Sequence, residues 1–308
     1  MKNNKRPSHH GVKEAIKSKY PNETLKLLIE RASLRNFSDK KIPPRVLQYI
    51  LEAGIHAPTG GNLQPYSIIK IEKTATKNKL AKLANQGFIA KAPVNLIFCI
   101  DLHRLERWAK LEVAPFTATS AFRHFWISFQ DTIICAQNIC TAADSLGLGS
   151  VYIGTSLEFV PQLCRMLKLP KGVFPVVLLC LGYPKKLPLP RRRLGIKVMV
   201  HNERYQELSD KKLLSAFNEK YLGMKIEPAK DRIKRIEEVC REIASDKFAK
   251  KCLAKIKKNG YISMAQLYFG LHYVANMMPK NNETFLKQME QLGFNWFKKY
   301  RPLKDKIK

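Results

Sequence analysis

Apolar residues first recur at helical spacing from Leu25 through Leu28 and Ile29 to Ala32, behind Asn22, a suitable N-cap. Pro43-Pro44 opens a second helix with Val46, Leu47, Ile50 and Leu51 on its buried side, and Gly54 is expected to end it. The period then changes. Tyr66 to Ile71 reads as a strand, and VNLIFCI (Val94 to Ile100) is apolar almost throughout, as a strand covered on both faces would be. The longest helical stripe runs between Phe122 and Leu146 through Phe125, Phe129, Thr132, Ile133, Ala136, Ile139, Cys140 and Ala143. Gly147 suits a left-handed cap after it. A short strand (Val151 to Ile153), a helix over 158–167 and a strand within GVFPVVLLCLGYP (Gly172 to Pro184) follow.

Strands and helices alternate with helices in excess, which predicts an α+β class, a sheet packed among helices. From about residue 225 only helical patterns continue. The expected organisation is a polar segment over 1–21, a domain over 22–224 and a basic, all-α extension over 225–308. That extension carries Leu267, Phe269, Leu271, Tyr273, Val274, Phe294, Trp296 and Phe297, more apolar surface than a disordered tail would hold. Its helices are therefore expected to pack on the core or on a partner.

Charge changes the picture only in part. The net charge is +30, but residues 225–308 carry 20 Lys/Arg against 9 Asp/Glu and residues 1–224 carry 35 against 16, so the excess is spread. A dedicated nucleic-acid module concentrates its charge around a recognisable motif; nucleic acid is not an expected partner, and a lysine-rich solvated surface is. No apolar run reaches the roughly 18 to 20 residues of a membrane helix, and the first 20 residues lack the apolar core of a signal peptide. The expected compartment is the cytoplasm, with no membrane association. The seven cysteines are odd in number and contain no CxxC, which predicts reduced thiols and no metal site. His9 and His10 lack partners at ligand spacing and are read as solvated.

Three stretches carry candidate chemistry. In RASLR, an extended backbone would put Arg31, Ser33 and Arg35 on one side, two guanidinium forks and a hydroxyl suited to phosphate; late-helix arginines also simply stabilise the carbonyl end. Arg191, Arg192 and Arg193 form a basic triplet in a proline-rich loop, which alone reads as solvated. APTGGNLQPY (Ala57 to Tyr66) packs prolines, glycines, Asn62 and Gln64 directly before a buried strand. Glycines let backbone amides approach a ring closely, and Asn and Gln amides can read its edge. A loop that merely feeds the strand is the plain alternative.

These segments, in this order, resemble the FMN-dependent nitroreductase family over residues 22–205. RASLRNFSDKKIPPRVLQYILEAGIHAPTGGNLQPY is similar to its R-x-S-x-R-x-F, helix and A-P-S-x-x-N-x-Q-P-W; FQDTIICAQNICTAADSLGLGSVYIG to its long helix, G-L-G and I-G; VVLLCLGYP to its G-Y-P strand end; RRRLGIKVMVHNERY to its basic pair and V-H-x-x-Y. Tyr66 stands where the family commonly has Trp, and Thr59-Gly60-Gly61 replaces a more serine-rich version. The resemblance implies a dimeric fold around a mixed or antiparallel sheet, and FMN held at a homodimer interface. By the same resemblance Arg31, Ser33 and Arg35 hold its phosphate and ribityl chain, with Arg191 and Arg193 closing on the phosphate. Pro58, Thr59, Gly60, Asn62 and Gln64 approach the ring from the partner, and Ile153 and Gly154 lie on its other side.

The implied activity is transfer of reducing equivalents from NAD(P)H through FMN to a small electron-poor acceptor, nitroaromatic or quinone-like. The flavin carries the chemistry, so no catalytic side chain is assigned. Other redox chemistry on the same fold (dehalogenation, dehydrogenation, flavin breakdown) and a non-redox flavin or nucleic-acid binding protein stay open. Phe122, Phe125, Trp126 and Phe129 read as core or as a channel lining. Asp131 reads as a hydrogen-bonded boundary carboxylate, and His103 and His124 have no partner that marks them.

Overall fold

The computed structural model describes residues 19–300; His9, His10 and most of the polar segment 1–21 lie outside them. The first helices form where the pattern puts them. Asn22 caps α1 (Glu23–Glu30), its Oδ1 accepting from the Leu25 amide at 2.9 Å. α2 (Pro44–Ile55) starts on its proline. Gly54 does not end α2. It lies inside the helix, where a Cβ would stand 2.5 Å from Ile139 Cγ1, so the missing side chain lets α2 close on α6 (Phe122–Ser145).

Between them lie β1 (Tyr66–Ile71), α3 (Thr74–Leu83), α4 (Phe88–Lys91), β2 (Val94–Asp101) and α5 (Leu102–Leu111). After α6 come β3 (Gly149–Ile153), α7 (Val160–Leu167) and β4 (Val173–Gly182). Gly147, at φ 76°, makes the left-handed turn out of α6. The four strands form one antiparallel sheet in the order β1-β2-β4-β3. β2 and β4 are central and buried along their whole length, while β1 lies at an edge.

Period-two alternation hides inside those continuous apolar runs. Val94, Leu96, Phe98 and Ile100 of β2 face a core shared with Cys135, Ala136 and Ile139 of α6. Ile97 and Cys99 face a second core with Leu80, Ile89 and Leu163. Pro175 is tolerated in a central strand because a bulge between Phe98 and Cys99 lies opposite it and β3 pairs only with residues 178–182. All seven cysteines are free.

The chain divides into two compact units, residues 1–190 with 286–308, and residues 191–285. The expected boundary at 224/225 falls inside the second of these. In the first unit the C-terminal stretch returns to the core: Phe294 is fully buried, edge-on to Phe125 at 5.4 Å. The Gly172 amide donates to Leu292 O at 2.7 Å, and the Asn295 amide to Thr119 O at 3.0 Å. The second unit holds α8 (Ile196–Met199), α9 (Asp210–Lys220), α10 (Lys230–Ile243), α11 (Asp246–Asn259) and α12 (Met264–Leu267). Its own small core joins Ile236, Cys240, Ala249, Ile256 and Ile262. α13 (Asn282–Gln291) carries the chain from the second unit back to the first. No helix among the described residues is long and apolar enough to cross a membrane.

Candidate functional site

Residues 31–37 leave α1 as extended chain and run beside edge strand β3. The Leu34 amide donates to Ser150 O at 2.9 Å, and Leu34 points inward against Gly149, where a Cβ would meet it at 2.8 Å. Alternation then turns Ser33 and Arg35 outward, and both are exposed. Arg35 lies 5.9 Å from the Phe88 ring and has no ion pair among the described residues.

Arg31 behaves differently. Its Nε pairs with Asp144 at 2.9 Å and its Nη2 donates to Ser150 Oγ at 3.0 Å, leaving Nη1 for any further ligand. Both side chains of the pair are mostly buried. Burial pushes the Asp144 carboxyl up, and Arg31 opposes that rise.

At the end of β3, Ile153 is buried and Gly154 exposed. A Cβ at Gly154 would meet nothing within 4 Å, and its φ is not positive, so nothing in the chain itself requires glycine there. Ser33, Arg35 and Gly154 are thus all open to solvent. A groove of about 1460 Å³ lies nearby, lined by Arg31, Asp144, Asn138, Thr141 and Pro188, but Ser33, Arg35, Ile153 and Gly154 are not among its walls.

The stretch from Pro58 to Gln64 sits elsewhere, ahead of β1. Gly61, Asn62 and Gln64 all have positive φ (60°, 55° and 48°), the left-handed region that side chains rarely adopt. Gly60 presses on α6, its amide donating to both Asp131 oxygens at 3.2 Å. Asp131 is buried, and burial raises its carboxyl while the Gly60 N–H opposes the rise. Gln64 Nε2 donates to Ile55 O at 2.9 Å, and Thr59 Oγ1 accepts from the Gln64 amide at 3.3 Å. Arg104, on α5, holds the far end: Nη2 donates to Gln64 O and Tyr66 O, each at 2.7 Å.

One chain keeps these two stretches apart. β1 and β3 are opposite sheet edges, three strand spacings or about 14 Å across. On α6, Asp131 and Asp144 are separated by about 20 Å of helix. Arg191 and Arg193 open the second unit and are exposed there. The aromatic stripe divides, with Phe125 buried and Phe122 and Trp126 about half exposed. Among the described residues no cluster of His, Cys, Asp or Glu could hold a metal ion.

Arg104, Asp101 and Asp144 were not singled out from sequence. Asp101 and Arg104 meet locally as cap and first turn of α5, but their contacts to Ser67 and Gln64 and the Asp144 contact to Arg31 span 34 to 113 residues, where spacing carries no signal.

Known proteins match this chain in the same region. The model of the Nitroreductase family matches residues 28–183. An oxygen-insensitive NADPH nitroreductase of Salmonella typhimurium is 34% identical over 197 residues, 64% of this chain and 80% of that protein. The structure of an NADPH:FMN oxidoreductase from Vibrio harveyi, complexed with NAD+, is 33% identical with a TM-score of 0.60, covering 64% of this chain and 84% of that one. The NfrA2 structure from B. megaterium, 26% identical with a TM-score of 0.65, covers 90% of this chain and 100% of that one. The last likeness therefore extends well beyond residues 28–183.

Proposed function

The chain belongs to the nitroreductase family, and on that premise we propose how its own residues serve the flavin chemistry. It is an NAD(P)H-dependent FMN oxidoreductase. FMN, when bound, supplies the centre that accepts a hydride from NADH or NADPH and passes the reducing equivalents on. The acceptor in this reading is a small electron-poor compound, nitroaromatic or quinone-like.

Ser33 and Arg35 are the principal phosphate and ribityl ligands, with Arg31 Nη1 beside them. The observation that carries this assignment is that the chain beside β3 turns two donors outward while β3 itself ends in an exposed glycine that packing does not require. Gly154 leaves backbone free for close approach of a planar group. Cations around the site favour the anionic, reduced form of the flavin.

Pro58, Thr59, Gly60, Asn62 and Gln64 meet the same ring from a second copy. The separation of the two stretches across the sheet supports that arrangement. So do the exposed Tyr49, Trp126 and Ile134 on α2 and α6, which a homodimer would cover. The compartment in this reading is the cytoplasm.

The test is direct. Purified protein should be yellow, bleach under NADH or NADPH without oxygen, and recover colour with a quinone or nitroaromatic. A colourless protein that takes up no FMN would overturn the site assignment. Sedimentation at micromolar concentration should show a dimer; a monomer that keeps its FMN would overturn the shared site.

A further inference from the structure

We propose that Arg104 and Asp131 are positioning residues that clamp the flavin-facing loop, residues 58–64, at its two ends and hold the backbone that presents Asn62 and Gln64. The inference rests on the reading above that this loop meets FMN.

The loop cannot hold that shape alone. Gln64 keeps its side chain in left-handed backbone, a state that persists only where surroundings over-determine it, and Asn62 holds the same region two residues before, which asparagine tolerates better. Within the loop, the Asn62 amide reaches Thr59 O at 3.1 Å and the Leu63 amide reaches Gly60 O at 3.3 Å, near and just beyond the upper end of the usual range. At the loop's C-terminal end Arg104 donates to Gln64 O at 2.7 Å and, at the same distance, to Tyr66 O at the start of β1. That guanidinium is itself oriented. Its Nη1 donates to Ser67 Oγ at 3.2 Å and lies 3.8 Å from Asp101 Oδ2, while Asp101 caps α5 through the Arg104 amide at 2.9 Å.

At the other end a carboxylate is buried on the apolar side of α6 with one backbone amide, Gly60, as its partner among the described residues. Burying a charge for a single amide is a poor way to stabilise a helix interface. It is a good way to fix where Gly60 sits. The two clamps therefore pin both ends of a loop whose middle stays exposed.

The experiment uses the full-length FMN-loaded protein and its apo form. Arg104→Met should speed hydrogen exchange at the amides of residues 63–66 and alter the visible circular dichroism of bound flavin. It should also weaken FMN about ten-fold, since small misplacements of positioning groups have large effects. Arg104→Lys should recover part of each, with one donor group in place of a fork. Asp131→Leu should speed exchange at Gly60 while the thermal midpoint holds or rises, because a charge leaves an apolar interface. Loosened loop with undiminished stability is a combination that a merely structural role would not produce. Should Arg104→Met not fold, Arg104→Lys and Asp131→Leu carry the comparison.

Wild-type exchange and flavin dichroism in these variants would overturn the clamp. Asn62→Ala separates the two readings. If it alters the flavin spectrum while the Arg104 and Asp131 variants do not, the clamp fails and the loop assignment stands. If Asn62→Ala is also silent, the loop does not meet the flavin and both fall.

Discussion

The stretch 31–35 and the stretch 57–65 serve one proposed cofactor but are built on opposite plans. The first is ordinary extended chain beside a strand, and what it offers is side chains: Arg35 and Ser33 outward, Leu34 inward, Arg31 locked to Asp144. The second offers mostly backbone, bent through three left-handed residues and held by groups from α5 and α6. A side-chain site needs only the right alternation. A backbone site needs outside restraint, which Arg104 and Asp131 supply at the second stretch. Each plan also fails differently, and that difference can be measured.

The largest effect should come from Arg31→Ala. It leaves Asp144 buried without its ion partner, and breaking such a pair typically costs about 3 to 5 kcal/mol, a large share of a domain's stability. Chemical denaturation should show that loss. If Arg31→Ala unfolds like wild type but binds FMN poorly, Arg31 is a ligand first and a structural residue second, and the contrast within the first stretch disappears.

Arg35→Ala comes next and should act on binding alone. The side chain is exposed and unpaired among the described residues, so stability should stay within about 0.5 kcal/mol. Losing a charged hydrogen bond to phosphate typically costs about 1.5 to 3 kcal/mol, or roughly ten- to a hundred-fold in FMN affinity. Titration of the apo-variant checks it; an unchanged affinity would remove Arg35 from the phosphate site.

How far the sequence discloses each region follows from the same contrast. Alternation at Arg31, Ser33, Leu34 and Arg35 is local and was legible, and so was the cost of ordering Ala57 to Tyr66. The helix stripe of α6, the Asn22 cap and the buried strands were legible for the same reason. Gly54 was misjudged because a helix-ending glycine and one that admits a neighbouring helix look alike until Ile139 is placed against it. Asp144 was invisible because its partner is set by the fold; Asp101 is a local cap of α5, but its contact to Ser67 and that of Arg104 to Gln64 are set by the fold too. Asp131 was visible as a polar residue on an apolar face, but only its contact with Gly60 shows what it holds. α3 and α5 were not anticipated. α3 buries only Leu80 and Ala81, too few positions to reveal a helical period.

A smaller effect should separate Asn62 from a residue chosen only for its amide. Left-handed backbone costs ordinary side chains about 1 to 2 kcal/mol, and asparagine and glycine are the usual exceptions. Asn62→Ala should therefore lose about 1 kcal/mol, and Asn62→Gly close to none, while both lose the amide. Equal stability of the two variants would show that the loop relaxes out of its left-handed turn.

The smallest expected effect, and the sharpest for the comparison, is the pH dependence at Asp131 and Asp144. Burial raises both carboxyls above their unfolded value of about 3.9. A raised folded pKa means that the folded state binds the proton more tightly. The favourable contribution is then complete below about pH 3.9 and is lost as pH rises through the folded value. Asp131→Asn keeps an oxygen for the Gly60 amide and removes that loss, so its stability advantage over wild type should grow from about pH 4 upward and then level off. Asp144→Asn should gain on wild type in the same direction but by less, because the Arg31 guanidinium offsets part of the burial effect on that carboxyl. Denaturation midpoints of the three proteins between pH 4 and 7 measure both slopes. If Asp131→Asn gains no more on wild type than Asp144→Asn does, then Asp131 is no worse compensated than the paired Asp144, and the two stretches are not anchored on different plans.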